Sequence, residues 1–140
     1  MEITKNTSAK IKDFITTVGR RKEAIARVRL SKGSGQLTVH GKPVSAYFPG
    51  ELLQKIYDKP FELTKTLGKF NTSVKLEGGG RVAQLTAMVH GISRALSKSD
   101  LEFRKVLKAA GFLTRDPRAK ERRKFGLAHK ARAKKQSPKR

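Results

Sequence analysis

The chain has 140 residues, which suits one compact domain, and carries 33 Lys plus Arg against 11 Asp plus Glu, a formal net charge of +22. There is no Cys, which excludes a disulfide framework and a Cys-containing metal site, and no apolar run approaches the roughly 20 residues of a membrane span. Charge of one sign at this density repels itself in water, so a polyanionic partner is expected; nucleic acid fits best, because each cation set against a phosphate releases a condensed counterion.

In chain order, residues 1–15 read as an N-terminal extension. The first 13 contain Glu2 and Asp13, lack an apolar stretch and lack Arg, so they match neither a signal peptide nor a transit peptide. Gly19-Arg20-Arg21-Lys22 follows, just before the first long strand. In Ala24–Leu30 the alternate positions Ala24, Ala26, Val28 and Leu30 share one face, and Ile25, Arg27 and Arg29 take the other. The turn signal Lys32-Gly33-Ser34-Gly35 and the alternation at Leu37 and Val39 predict a hairpin with that strand. Residues 43–67 read as one or two short helices broken near Pro60. A third strand covers Phe70–Leu76, with Phe70, Thr72, Val74 and Leu76 on one face. The spacing of Val82, Leu85, Val89, Ile92 and Leu96 predicts a helix over 81–97. A second helix covers 100–110, and Gly111 is placed to end it. The fold class is α+β: a single small domain, its sheet antiparallel or mixed, with helices on the apolar face.

The core, residues 16–113, holds 21 of the basic residues once the extension is counted with it, against 9 acidic ones; the tail, residues 114–140, holds 12 basic and 2 acidic. After Leu127 the tail has no large apolar residue, so alone it is expected to be disordered and to be ordered by its partner. Its cations cluster as Arg122, Arg123 and Lys124, then Lys130, Arg132, Lys134 and Lys135, then Lys139 and Arg140, with Arg115 and Arg118 nearer the core. A membrane surface would need a face of large apolar side chains opposite that charge, and after Leu127 only small Ala residues lie between the charges. Such a tail contacts phosphates and RNA shape rather than a base sequence. In the core, Arg20, Arg21, Lys22, Arg27 and Arg29 form a candidate phosphate-binding stripe.

Gly78-Gly79-Gly80-Arg81-Val82-Ala83 follows a strand and opens a helix. It matches the dinucleotide pattern G-x-G-x-x-G/A in form, but that site also needs a second strand ending in an acid, and Asp100 and Glu102 start a helix instead. A turn requiring unusual backbone angles, or a cradle for a backbone phosphate with Arg81 beside it, fits better. His40, His90 and His129 are scattered without paired carboxylates, and suggest neither a metal site nor a catalytic base. No cofactor or small-molecule substrate is expected, and no enzyme. A nucleic-acid architectural protein that coats DNA is the rival on composition.

Several segments, in order from about residue 16 to the end, resemble the small-subunit ribosomal protein family numbered nine. They are Gly19-Arg20-Arg21-Lys22 with Ala26-Arg27-Val28, Tyr47-Phe48, Gly78-Gly79-Gly80, His90–Leu96, Ala110–Asp116, Glu121–Leu127, Lys130-Ala131-Arg132 and the terminal Lys139-Arg140. The bacterial version is the most similar. This chain departs from the family pattern at Ala83, where Gly is usual, at Ala128, which looks inserted, and in its Gln136–Arg140 ending. The resemblance implies a four-stranded mixed sheet with helices on one face, similar to the second domain of small-subunit protein five, plus an extended basic tail. It implies binding to ribosomal RNA in the head of the small subunit, beside neighbouring head proteins, in a cytoplasmic ribosome, with an organellar one left open. It also implies that Lys139 and Arg140 contact the peptidyl-site transfer RNA during translation.

Overall fold

The computed structural model describes residues 14–133. Its elements are β1 (Phe14–Arg21), β2 (Ala24–Lys32), β3 (Leu37–Val39), β4 (Lys42–Pro43), α1 (Val44–Tyr47), α2 (Glu51–Leu63), β5 (Phe70–Glu77), α3 (Arg81–Ser99) and α4 (Leu101–Ala109). No described helix is long and apolar enough to cross a membrane. Lys134, Lys135, Lys139, Arg140 and residues 1–13 lie outside the described residues.

The sheet is mixed, in the order β1-β2-β5-β3-β4, with β3 parallel to β5 and every other pair antiparallel. It has five strands rather than the four expected. The addition is the two-residue β4, where the chain reverses through His40 and Gly41 before α1. The expected pairing of β2 with β3 is also corrected. The true hairpin is β1–β2, closed by Lys22 and Glu23, and β5 inserts between β2 and β3. The Gly33–Gln36 segment therefore steps across the start of β5. Gly33 donates its amide to the Lys69 carbonyl at 3.1 Å, and Gln36 accepts from the Thr72 amide at 2.8 Å. Gly35, at φ +87°, lies against Gly68, and a Cβ there would meet the Gly68 Cα at 2.5 Å. The glycines serve this crossing and not a tight two-strand turn.

One face of the sheet is buried. Ala24, Ala26, Val28 and Leu30 of β2 and Val74 and Leu76 of β5 lie under α3, joined by Met88, Ile92, Leu96 and Leu107. On β1 the inward positions are Thr17 and Gly19, because α3 rests directly on that strand. A Cβ on Gly19 would stand 2.0 Å from the Ala87 carbonyl oxygen and 2.3 Å from the Gly91 nitrogen. Thr17 Oγ1 donates to the Gly91 carbonyl at 2.7 Å, which satisfies a buried hydroxyl and sets the height of the helix.

Two helix expectations change. Pro60 does not break α2 but lies inside it, and its ring is fully buried, so packing offsets the lost backbone hydrogen bond. Val82 was expected on the buried face of α3 but is 78% exposed, whereas its neighbour Ala83 is buried. At the end of α4, Gly111 (φ +80°) donates to the Lys108 carbonyl and Phe112 to the Leu107 carbonyl. These are the two bonds of a Schellman stop, which requires the left-handed residue that Gly supplies without strain.

Candidate nucleic-acid interface

Among the described residues no helix covers the second face of the sheet. Side chains alternate along a strand, so the positions opposite the core face outward together. These are Phe14, Thr16, Val18 and Arg20 on β1, Ile25, Arg27 and Arg29 on β2, and Ser73, Lys75 and Glu77 on β5. Register places Arg27 directly opposite Lys75, and Arg29 between Thr16 and Ser73. Like charges directly opposite one another on a sheet are destabilising. The one acid on this part of the face, Glu77, reaches the Arg27 guanidinium at 3.2 Å, and both groups are more than half exposed. That pair is therefore worth little in water. Arg20, Arg27, Arg29 and Lys75 present net positive charge that the face itself does not balance. Lys75 was missed in the sequence, although its neighbours Val74 and Leu76 point inward and leave it on the open side. Lys22 is exposed at the β1–β2 turn, at φ 51°.

Alternation also separates the two neighbouring arginines. Arg20 faces outward, while Arg21 turns to the helix side, where only 13% of its side chain is exposed. Its guanidinium donates to the Arg118 carbonyl and lies 3.4 Å from the Asp116 carboxylate. Asp116 also takes both ends of the Arg118 side chain, at 2.7 to 3.1 Å, and the Arg118 amide at 3.0 Å. Hydrogen bonds from Arg118, with the Arg21 charge nearby, hold the Asp116 carboxyl well below the usual carboxylate range. Arg21 thus anchors the root of the tail to the end of β1.

His90 makes a second tie at the same corner. Its Nδ1 accepts the Arg20 amide at 3.3 Å, and the ring bonds to the Leu113 backbone. Burial is the main cause that lowers its pKa, the Leu113 bond opposes it, and Arg94 and Arg115 add to the lowering. Arg94 itself donates to the Val18 carbonyl.

Gly78 and Gly79 both have positive φ, 70° and 64°, and a Cβ on Gly78 would stand 2.7 Å from the Glu23 carbonyl oxygen. The turn is held by Gln84, whose Nε2 donates to the Gly78 carbonyl at 3.0 Å and whose Oε1 accepts from the Tyr47 hydroxyl at 2.9 Å. Gly80 caps α3 in extended conformation, and Arg81 is exposed, donating to the Tyr47 carbonyl at 3.3 Å. The helix that follows runs into α4 with no intervening strand, unlike a dinucleotide site.

The described part of the tail, residues 114–133, carries no helix or strand. Arg132 forms a two-pronged pair with Glu121 at 2.6 and 2.9 Å, and this lowers the Glu121 pKa. Lys124 donates its amide to the Lys130 carbonyl at 3.2 Å and its ammonium to Ala131 at 2.7 Å. The loop so closed contains Gly126, Ala128 and His129, all at positive φ. Arg115, Arg122 and Arg123 are exposed.

A model of the family described as "Ribosomal protein S9/S16" matches residues 19–140. A relative from Maridesulfovibrio salexigens, described as "Small ribosomal subunit protein uS9", is 56% identical over 115 residues, covering 82% of this chain and 88% of the relative.

Proposed function

This chain belongs to the ribosomal protein S9/S16 family, and on that premise we propose that it is a structural constituent of the small ribosomal subunit that binds ribosomal RNA in the head. Its role is electrostatic and geometric, with no reacting centre. The observation that carries the reading is Arg27 facing Lys75 across β2 and β5, an arrangement that becomes favourable when phosphates lie over it. Arg20, Lys22, Arg29 and Arg81 extend that surface, and Gly78–Gly80 supply a backbone cradle. Arg115, Arg122, Arg123, Lys124 and Lys130 continue it into the tail, followed by Lys134 and Lys135. Arg21 contributes by aiming the tail and not by meeting phosphate itself. Arg118 and Arg132 start from internal ion pairs and exchange them for phosphates on binding. Leu52 and Leu101, about three-quarters exposed on α2 and α4, suit neighbouring head proteins.

The tail continues to the peptidyl-site transfer RNA, where Lys139 and Arg140 hold the anticodon stem by its backbone. Backbone contact accepts any transfer RNA. Replacing both with Ala is expected to leave incorporation into subunits intact and to weaken peptidyl-site transfer RNA binding, read by filter retention on purified mutant subunits. Unchanged binding would remove this role.

A further inference from the structure

The open sheet face is more than a row of cations. At its upper end, between β1, β2, β3 and β5, lies a shallow hollow of about 290 Å³ lined by Phe14, Arg29, Gln36, Thr38 and Ser73 among others. Phe14 is 46% exposed, an unusual state for a large aromatic ring on a sheet. The Arg29 guanidinium carbon stands 5.5 Å from its ring centre, so a flat cation and an aromatic ring already lie together. Around them the hollow supplies the Gln36 side chain and the hydroxyls of Thr38 and Ser73. Arg27, two residues before Arg29, lies on the same face about 7 Å away along the strand, and Lys75 lies opposite Arg27.

We propose that this hollow binds one unpaired nucleotide of an RNA strand, its base stacked on Phe14 and Arg29 and its flanking phosphates on Arg27 and Lys75. The proposal rests on the ribosomal RNA reading above and specifies the form of RNA taken by the sheet face. A base stacked inside an A-form duplex offers no free face to an aromatic ring, whereas an unstacked base does, whatever its identity. The charge pattern requires an anion, and the ring beside it requires a flat apolar group. A nucleotide carries both within the reach of one strand register. Acidic peptides meet the first requirement alone.

The test uses the full-length chain with two fluorescent RNAs matched in phosphate number, an eight-nucleotide single strand and a hairpin duplex. Phe14→Leu, which keeps an apolar side chain at a half-exposed position, is expected to weaken single-strand binding roughly tenfold and to leave duplex binding unchanged. Lys75→Ala is expected to weaken both. Equal effects of Phe14→Leu on the two RNAs, or no effect on either, would overturn the proposal. Because the tail also attracts RNA, nuclear magnetic resonance supplies a second reading: the Phe14 ring protons and the Arg29 Nε–H are expected to shift on saturation with single strand. Silent resonances there, with RNA bound elsewhere, would also overturn it while leaving the ribosomal role standing. A wild-type chain that bound neither RNA would instead count against the ribosomal reading itself.

Discussion

Gly19 and Gly91 touch where α3 meets β1, and they show how single atoms set the distance between layers. Adding a methyl at Gly19 drives it into backbone atoms of Ala87 and Gly91, at 2.0 and 2.3 Å, which cannot turn aside. Adding one at Gly91 meets the Val28 Cγ2 at 2.7 Å and the Gly19 nitrogen at 3.1 Å, but Ala in place of Gly inside a helix recovers about 1 kcal/mol of helix propensity. Gly19→Ala is therefore expected to cost about 3 kcal/mol and Gly91→Ala nearer 1 kcal/mol, within the range for overpacked cores, measured by urea unfolding. Neither contact was legible in the sequence, where Gly19 stood out only as the start of a basic run. His90 was read only as one of three scattered histidines, and its ties to Arg20 and Leu113 depend on a meeting of chain segments that spacing does not reveal. Its pKa is lowered from 6.5 in the folded chain, so as pH falls the unfolded chain takes up the proton first. Stability is thus full above that value and declines below it until the folded imidazole also protonates. His90→Gln is expected to flatten this decline in thermal melts taken across the range; an unaltered pH dependence would contradict the assignment.

Among the elements, β2, β5 and α3 were legible because each buries one continuous apolar side. Strand β1 was not, since its fully buried inward positions are Thr17 and Gly19, and the close approach of α3 leaves no space for a side chain at Gly19. Without β1 as a strand, Arg20 and Arg21 could not be assigned to opposite faces. The β2–β3 hairpin was misread because the choice of β5 as partner is a long-range event, decided by burial and not by the intervening glycines. Pro60 was taken as a breaker, though its buried ring shows that core packing outweighed the missing amide. At the tail root, Asp116 is the hub for Arg21 and Arg118. Asp116→Asn removes the charge that both arginines share. Amide hydrogen exchange over residues 114–118 is expected to speed up while exchange in β2 and α3 stays the same. Acid acts in the same way: the folded carboxyl has a lowered pKa, so the tie persists above 3.8, the ordinary value, and is lost as pH falls through the lower folded one. Exchange at the root that did not respond to Asp116→Asn would mean that His90 and Leu113 hold the tail without it.

At the scale of the molecule, residues 114–140 hold +10 of the net charge of +22 and the rest of the chain +12, and both the open sheet face and the tail are cationic beyond what their own acids balance. Binding to RNA should then weaken steeply with salt, and each phosphate contact removed should lower the slope of log affinity against log salt by about 1. Arg27→Ala and Lys75→Ala are each expected to lower it by about that amount, whereas Arg21→Ala, whose side chain faces the tail root, is expected to leave it nearly unchanged. Composition pointed to a polyanionic class of partner, and motifs in order pointed to the family. The open sheet face became apparent only once register placed Lys75 opposite Arg27. The most direct test of the central claim is sucrose-gradient sedimentation of cell extract at low magnesium, where subunits separate, with every fraction probed for this protein. Sedimentation with the small subunit at moderate salt, lost only at high salt, is the result predicted for a protein held by many phosphate contacts. Recovery at the top of the gradient, or with DNA, would contradict it.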